Sequence, residues 1–242
     1  MNRNKDEARR LLGDIVYFDR GVLGEKEKYQ RFAIQTHFVE KNESYVELIK
    51  KYVLPLYEEG DCLAFGAKVM ALCTGNVYTK DEVKPGFFAR LLWRFAGRNS
   101  TGIGMHQPNK LQLAINLVGL PRVLFATFAA ALTKPFGLKG VFYRITGPIV
   151  AGIDGFYPDS SFDVYHDVAL VNPQNPIELC NDIVEKTGVP CVIMDANDFD
   201  QNQLGKGDKF PLSDEQIQCA LKDNPFGQGD ELTPLILIRP IK

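Results

Sequence analysis

The sequence predicts a mixed fold of helices and strands, α+β or irregular α/β, rather than a doubly wound parallel sheet. Segments with strand periodicity and segments with helix periodicity follow one another without a regular strand–helix–strand count. No internal repeat is visible, and 45% of the 242 residues are hydrophobic. That is enough apolar material for one full core or for two small lobes that share one.

The amino-terminal third is expected to hold a helix between two strands. Residues 1–30 are polar and charged and are expected to form an appendage or a short helix, and 31–39 reads as a strand. Ser44, with a glutamate three residues later, is typical of a capped helix start, and the helical spacing of apolar residues continues to Tyr57. After a Gly-Asp turn, the apolar run 62–72 predicts a buried strand.

The middle third contains the most apolar part of the chain. Residues 99–108 form a loop rich in Gly, Ser and Asn, and 111–138 are expected to form a buried helix. Charged residues and prolines leave only 123–132 uninterrupted, well short of the ~20 residues that a bilayer span needs. Two strands are expected at 141–145 and 167–171.

In the carboxy-terminal third, the residues that begin and end the predicted elements are easier to identify. Asn175 and Pro176 predict a helix start, and Gly188 predicts its end. The remaining elements are expected to be a buried strand at 189–194, a polar loop at 196–209, a short helix at 213–221 and a strand at 235–238.

Charge and cysteine content narrow the class of protein. The 28 Lys and Arg nearly balance the 30 Asp and Glu, so the whole chain has no strong electrostatic reason to bind nucleic acid or an anionic membrane. Its five cysteines form no C-x-x-C pair and are expected to be reduced core residues. The charged amino terminus has no signal-peptide core, which predicts a cytoplasmic protein without a membrane span.

Two aspartates lie where buried strands are expected to end. Asp154 follows the apolar residues 149–153, and Asp195 follows 189–194. Carboxylates at such ends point into the crevice where α/β proteins bind ligands, and two that meet there need a cation between them. Oxygen ligands suit Mg²⁺ or Mn²⁺, which in turn bind phosphates. The alternative is that each aspartate caps a turn or a helix.

Residues 224–234, reading NPFGQGDELTP, form a polar loop just before the last strand. Gly227 and Gly229 would let the backbone approach a ligand closely. Gln228, Asp230 and Glu231 offer side-chain oxygens. Such glycine-aspartate loops are also common as plain turns. The chain contains no Walker phosphate loop, no dinucleotide-binding G-x-G-x-x-G before a helix and no G-x-S-x-G nucleophile elbow.

Four segments, taken in order, resemble the coenzyme F420-0:L-glutamate ligase family, the F420 γ-glutamyl ligases. They are residues 59–77 (EGDCLAFGAKVMALCTGNV), 151–154 (AGID), 188–195 (GVPCVIMD) and 227–234 (GQGDELTP), the last followed by an apolar strand and Arg239. The resemblance runs from about residue 31 to the carboxy terminus. It therefore implies an amino-terminal extension at 1–30 and a ligase-like domain at 31–242.

The resemblance implies an irregular two-lobed fold, an intertwined homodimer and an amide-forming reaction. GTP, or ATP, would phosphorylate a carboxylate acceptor such as a deazaflavin coenzyme, and L-glutamate or another amino acid would then displace the phosphate. It implies a metal set of Asp154, Asp195, Gln228 and Glu231. The residues implied for the nucleotide are Thr36, His37, Lys68, Gly227, Gly229, Asp230 and Thr233. No catalytic residue is assigned.

The sequence departs from the family at three positions. Leu72 replaces a lysine, Tyr157 replaces an asparagine, and Ala196 replaces a hydroxyl residue. These departures keep two alternatives open, namely a homologue that binds metal or nucleotide without catalysis and a ligand-binding protein without phosphate chemistry. The sequence does not identify the acceptor, the nucleotide or the amino acid.

Overall fold

The computed structural model describes residues 8–24, 27–94, 105–156, 164–196, 201–227 and 231–241, and the statements below concern these residues. The strands are β1 (Arg9–Leu12), β2 (Ile15–Leu23), β3 (Lys28–Ile34), β4 (Cys62–Gly66), β5 (Val77–Thr79), β6 (Ile153–Gly155), β7 (Val168–Val171), β8 (Cys191–Ala196), β9 (Gln201–Lys206) and β10 (Leu235–Ile241).

The α-helices are α1 (Tyr45–Leu48), α2 (Ala67–Cys73), α3 (Phe87–Leu92), α4 (Pro108–Val118), α5 (Leu120–Thr133), α6 (Val141–Thr146), α7 (Pro148–Ala151), α8 (Val164–Asp167), α9 (Pro176–Thr187) and α10 (Asp214–Leu221). A π-helical turn, Ile49–Val53, continues α1, and a 3₁₀ turn, Lys134–Phe136, continues α5. The mixed helix and strand composition predicted from the sequence is confirmed. The specific ligase fold stays a prediction.

The chain forms two compact units. The sheet unit contains Met1–Gly75 and Pro173–Lys242, and the inserted unit contains Asn76–Asn172. The described part of the sheet unit has a seven-stranded sheet in the order β1-β2-β3-β10-β4-β8-β9. Its neighbouring strands are antiparallel except β4 and β8, which are parallel.

The core of the sheet unit lies around β10. Residues 235–238 of this strand are fully buried and pair with β3 on one side and β4 on the other. On one face of the sheet, Ala64, Val192 and Ile236 pack with Ile217 and Leu221 of α10 in a single core. Each fully buried Val, Leu or Ile side chain contributes about 1.5–3 kcal/mol, which is why β10 holds the sheet together.

Several predicted boundaries are confirmed. Ser44 caps α1, since its hydroxyl accepts a hydrogen bond from the Glu47 N–H at 3.3 Å. α9 begins after Asn175 and ends at Gly188, whose φ of 77° only glycine adopts readily. α10 begins with a full capping box between Ser213 and Gln216. These signals are local, so the sequence alone identifies them.

Other expectations were wrong. The run 62–72 is a strand only to Gly66, which is the N-cap of the helix α2. A short and mostly apolar run suits either element. Residues 141–145 lie in the helix α6 rather than a strand. The polar loop expected at 196–209 contains the edge strand β9, whose exposed residues need no apolar face.

The amino-terminal segment also differs from the expectation. Its described part forms β1 and β2, and β2 pairs with β3, so it is neither an appendage nor a short helix. Phe18 of β2 joins the core of the sheet unit. The predicted domain boundary at residue 31 concerns relatedness and stays a prediction.

The inserted unit combines a small sheet with a helical layer. Its described strands form an antiparallel sheet in the order β5-β7-β6, and its core includes Leu111, Val123, Val150 and Phe156. The helix expected to be buried at 111–138 is two helices, α4 and α5, and α5 is buried on one face only. Among the described residues, no helix combines the length and the apolar character that crossing a bilayer requires.

Candidate functional site

One edge of the seven-stranded sheet brings together chain segments that are far apart in sequence. β3, β4 and β8 run in one direction and end at this edge, and β10, which is antiparallel to β3 and β4, begins there. Ile34, Leu235, Phe65 and Ile193 lie in one register row across the four strands. Residues just after this row in β3, β4 and β8, and just before it in β10, therefore lie side by side at the same edge of the sheet.

We call this region the site edge and define it by residues 35–37, 66–68, 195–196 and 231–234. Six residues predicted to bind metal or nucleotide lie in it: Thr36, His37, Lys68, Asp195, Glu231 and Thr233. Gly227 lies in the loop that enters it. Gln228, Gly229 and Asp230 lie outside the described residues.

The loop 224–234 is tied to the sheet by several hydrogen bonds. Gln35 donates from Nε2 to the Glu231 carbonyl at 2.8 Å, and the Thr36 N–H donates to the Leu232 carbonyl at 2.9 Å. Thr233 donates from its hydroxyl to the Phe226 carbonyl at 2.6 Å. The Thr36 N–H and the Thr233 hydroxyl therefore fix the backbone of the loop, and the Thr233 hydroxyl keeps only its acceptor lone pairs for a ligand.

Arg20 of β2 makes the strongest contact to this loop. Its guanidinium pairs with the Glu231 carboxylate through Nη2, and its Nε donates to the Pro225 carbonyl at 3.0 Å. The side chains are only 6% and 12% exposed. Glu231 would have to share or leave Arg20 to ligate a metal ion, so its main role in this conformation is to hold the loop.

Gly227 takes a left-handed backbone conformation in the same loop, with φ 76°. A Cβ at this position would lie 2.6 Å from Glu231 Oε2. Nearby, the side-chain amide of Asn224 is buried, and neither its Nδ2 nor its Oδ1 has a hydrogen-bond partner among the described residues. An unsatisfied buried amide costs about 1–3 kcal/mol, so Asn224 is a group that would gain from a ligand.

His37 belongs to a chain of hydrogen bonds at the site edge. Its Nδ1 lies 2.8 Å from the Tyr52 hydroxyl and its Nε2 lies 2.7 Å from Glu43 Oε1. Glu43 also accepts the Glu40 N–H at 3.1 Å. Because both ring nitrogens have hydrogen-bond partners, the His37 ring is held in place at the site edge.

Lys68 and Leu72 belong to the same face of α2. Lys68 lies in the first turn and is exposed, and Leu72, four residues later, is 8% exposed. Residues four apart in a helix are neighbours on its surface. The chain therefore carries a cation, Lys68, one turn before the position at which the ligase resemblance implies a lysine.

The predicted metal ligands do not form a complete set in the described part of the chain. Asp195 is half-buried at the end of β8, and Asp154 lies in β6 of the inserted unit, where its Oδ1 accepts the Gly155 N–H at 2.9 Å. The two aspartates belong to different units, and an ion shared between them stays a prediction. No group of three His, Cys, Asp or Glu side chains among the described residues could hold a metal ion.

Cysteine nucleophiles are not a feature of this edge. Burial raises the pKa of the Cys62 thiol, and burial also raises that of Cys191 well above the ordinary value. Both lie within the sheet and are free thiols. A thiol held in its neutral form is a poor nucleophile, which agrees with a packing role.

The sequence did not single out Arg20, Gln35, Tyr52 or Asn224 as site residues. Arg20 and Glu231 are 211 positions apart, so no local pattern connects them. Tyr52 lies within a helical pattern and reads as a core residue. Asn224 begins the polar loop before the last strand. Its place next to Pro225 indicates a turn, which was the one sequence signal for this residue.

Comparison with known proteins gives no relative for the chain: no protein-family model matches it, and neither does any curated protein at a significant level. The relation to the γ-glutamyl ligases therefore stays a prediction that rests on the four sequence segments.

Proposed function

We propose that the chain is a GTP- or ATP-dependent ligase that joins L-glutamate, or another amino acid, to a carboxylate acceptor such as a deazaflavin coenzyme. The observation that carries the proposal is the grouping of Thr36, His37, Lys68, Asp195 and Thr233 at one edge of the sheet. Strand ends at one sheet edge are where α/β proteins bind ligands.

The donor set suits the implied metal in kind. Asp195 offers carboxylate oxygen, which Mg²⁺ and Mn²⁺ prefer, and no cysteine lies in the segments that define the site edge. Asp195 would hold the ion, with Asp154 and Gln228 as the further ligands that the resemblance implies. The bound ion would neutralise charge on the phosphate oxygens.

The proposed ligation has two steps, phosphorylation of the acceptor and formation of the amide. The acceptor carboxylate attacks the γ-phosphorus, the bond to the bridging oxygen breaks, and nucleoside diphosphate leaves. The amine of the amino acid then attacks the acyl carbon, phosphate leaves with the bonding electrons, and the amine loses a proton. Positioning and charge stabilisation dominate such phosphoryl transfer. In this chain the Lys68 ammonium and the Asn224 amide are the described groups suited to phosphate oxygens.

The proposal also includes the ligase-like two-lobed fold, an intertwined homodimer and a cytoplasmic location. The dimer is implied by the resemblance, and the apolar content of residues 111–138 is a second reason to expect one. Analytical ultracentrifugation at micromolar concentration tests it, and a monomer at that concentration would contradict it.

The first experiment measures nucleotide binding. Isothermal titration with GTP and ATP, with and without Mg²⁺ or Mn²⁺, should show binding that requires the metal. Lys68→Gln should weaken binding by about ten-fold, because a charge-assisted contact contributes roughly 1.5–3 kcal/mol before solvent screening. Lys186→Gln is the matched control, since Lys186 is an exposed lysine on α9 that pairs with Asp182.

The second experiment measures phosphate release with L-glutamate and a panel of carboxylate acceptors. Asp195→Asn should abolish release while the protein stays folded, because it removes charge at nearly constant shape. Asp214→Asn is the control, since Asp214 is an exposed carboxylate that binds Lys206 of β9 and is not one of the predicted metal ligands. Wild-type protein that binds neither nucleotide with either metal would refute the ligase proposal.

A second candidate function is a homologue that binds nucleotide or metal without catalysis. The Arg20–Glu231 pair favours it, because a predicted metal ligand is held in an ion pair, and so does the buried Leu72 in place of a lysine. This function predicts metal-dependent nucleotide binding without phosphate release for any acceptor in the panel.

A further inference from the structure

The balanced charge of the whole chain hides a segregation of charge along it. Residues 83–153 contain nine of the 28 basic residues and none of the 30 acidic ones. Glu82 and Asp154 are the acidic residues that flank this stretch. The whole-chain charge therefore does not describe the inserted unit, to which this stretch belongs.

α5, in the middle of this basic stretch, turns an apolar face outward. Phe125 and Phe128 are each 62% exposed and Leu132 is 56% exposed. They are three and four residues apart, so they lie on one side of the helix. Phe136 in the following 3₁₀ turn is 82% exposed, and Leu138 is 53% exposed. We call these five side chains the α5 face.

The α5 face is not needed to hold the helix in place. The opposite side of α5 carries the fully buried Val123 and Ala126, and Val123 joins the core of the inserted unit. Arg122 Nε donates to the Ile145 carbonyl at 2.7 Å and ties α5 to α6. The outward aromatic and leucine side chains therefore add exposed apolar surface without a packing role, and such surface marks an interaction site.

Exposed cations lie close to the α5 face in sequence. Lys134 and Lys139 lie on either side of Phe136 in sequence, and Arg122 and Arg144 are also exposed. A helix with Phe and Leu side chains outward and Lys and Arg beside them is the pattern of proteins that lie in the interface of a bilayer. The long basic side chains reach the headgroups while the apolar ones enter the acyl boundary.

We infer that the α5 face docks on an anionic phospholipid surface. A second copy of the chain is a poorer occupant, because a twofold interface would bring two stretches of like charge together. The protruding side chains also fit a fluid acyl boundary that moulds around them. Docking is peripheral, and it is independent of the proposed ligase function.

Vesicle co-sedimentation of the full chain tests this inference. The protein should bind vesicles of phosphatidylcholine and phosphatidylserine and bind phosphatidylcholine alone much more weakly, and added salt should weaken the binding. Leu132→Ser combined with Phe128→Ser should reduce binding by about ten-fold or more. Lys134→Gln combined with Lys139→Gln should reduce it by about five-fold for each charge removed.

Matched controls come from α9 of the sheet unit. Ile177→Ser removes a side chain that is 51% exposed, close to the 56% of Leu132, and Lys186→Gln removes an exposed charge. Neither should change binding by more than about two-fold, since neither lies in the basic stretch. Circular dichroism should show all variants folded.

Three outcomes would overturn the inference. The first is no binding to either vesicle, and the second is equal binding to both. The third is an ultracentrifugation result in which Phe128→Ser with Leu132→Ser converts a dimer to a monomer, which would assign the α5 face to a second copy. A protein that binds a heparin column but neither kind of vesicle would also overturn the inference. Because heparin is a soluble polyanion, that result would point to an acidic macromolecule instead.

Discussion

Arg20 ties the 224–234 loop to β2, and replacing it with methionine should destabilise the protein by about 4 kcal/mol. Its guanidinium and the Glu231 carboxylate are 6% and 12% exposed, so the substitution leaves a buried carboxylate without its partner. Breaking a buried pair in this way costs about 3–5 kcal/mol, and loss of the bond to the Pro225 carbonyl is included in that range. Typical total stabilities are about 5–15 kcal/mol, so the effect is large.

Urea unfolding followed by circular dichroism measures this change, and a double-mutant cycle isolates the pair. Glu231→Gln keeps the shape of the side chain and removes its charge. Arg20→Met with Glu231→Gln should therefore be about 2 kcal/mol more stable than the sum of the two single changes predicts. Lys186→Met is the control, because the Lys186–Asp182 pair is 52% and 31% exposed and such pairs contribute about 0–1 kcal/mol.

The same variants test the role of the pair in the loop. Hydrogen exchange of residues 224–234 should accelerate in Arg20→Met more than in the control variant, because the loop loses its attachment to β2. A destabilisation below about 1 kcal/mol, with no coupling in the cycle, would refute the view that a buried ion pair anchors this loop.

Three further predictions concern single positions. Gly227→Ala should destabilise the protein by about 1 kcal/mol more than Gly137→Ala, as measured by urea unfolding. Both glycines have similar positive φ angles, but only a Cβ at Gly227 would lie close to Glu231. Equal losses of stability in the two variants would contradict this prediction. Burial raises the pKa of Tyr45 to about 12, above the 10.0 of an ordinary tyrosine, so its contribution to stability is present below pH 10 and lost as the pH rises towards 12. Absorbance titration should lose this late transition in the Tyr45→Phe protein. Burial also raises the pKa of Cys73 to about 12. Peptide mapping should therefore show slow alkylation of Cys73 near neutral pH until urea is added. Rapid labelling of Cys73 in the folded protein would contradict this prediction.

The parts of the fold that sequence predicts well are those fixed by local chemistry. The start and end of α9 at Asn175 and Gly188 and the capping box at Ser213 depend on neighbouring residues only. The helix α2 was missed because residues 62–72 were interpreted as one apolar run, although Gly66 and Lys68 interrupt it where the strand ends and the helix begins. The edge strand β9 was missed because its pairing partner β8, and not its own composition, makes it a strand.

The candidate site shows the same division. Asp195 and the 224–234 loop could be predicted, because a carboxylate after a buried apolar run and a glycine-rich loop before a strand are local patterns. The pairing of Arg20 with Glu231 could not, because it depends on the order of β2, β3 and β10 in the sheet. The partners of His37 depend on the position of the helix after β3 and were also out of reach.

The position of β10 has a consequence for synthesis on the ribosome. β10 is the last of the described strands, yet it lies between β3 and β4, about 200 residues after β3 ends. Because the ribosome adds ~5–20 residues per second, β3 and β4 leave it on the order of 10 s or more before β10, the strand that pairs with both. During that time their apolar edges are open to other nascent chains, so production of soluble protein should depend on chaperones and on an intact carboxy terminus.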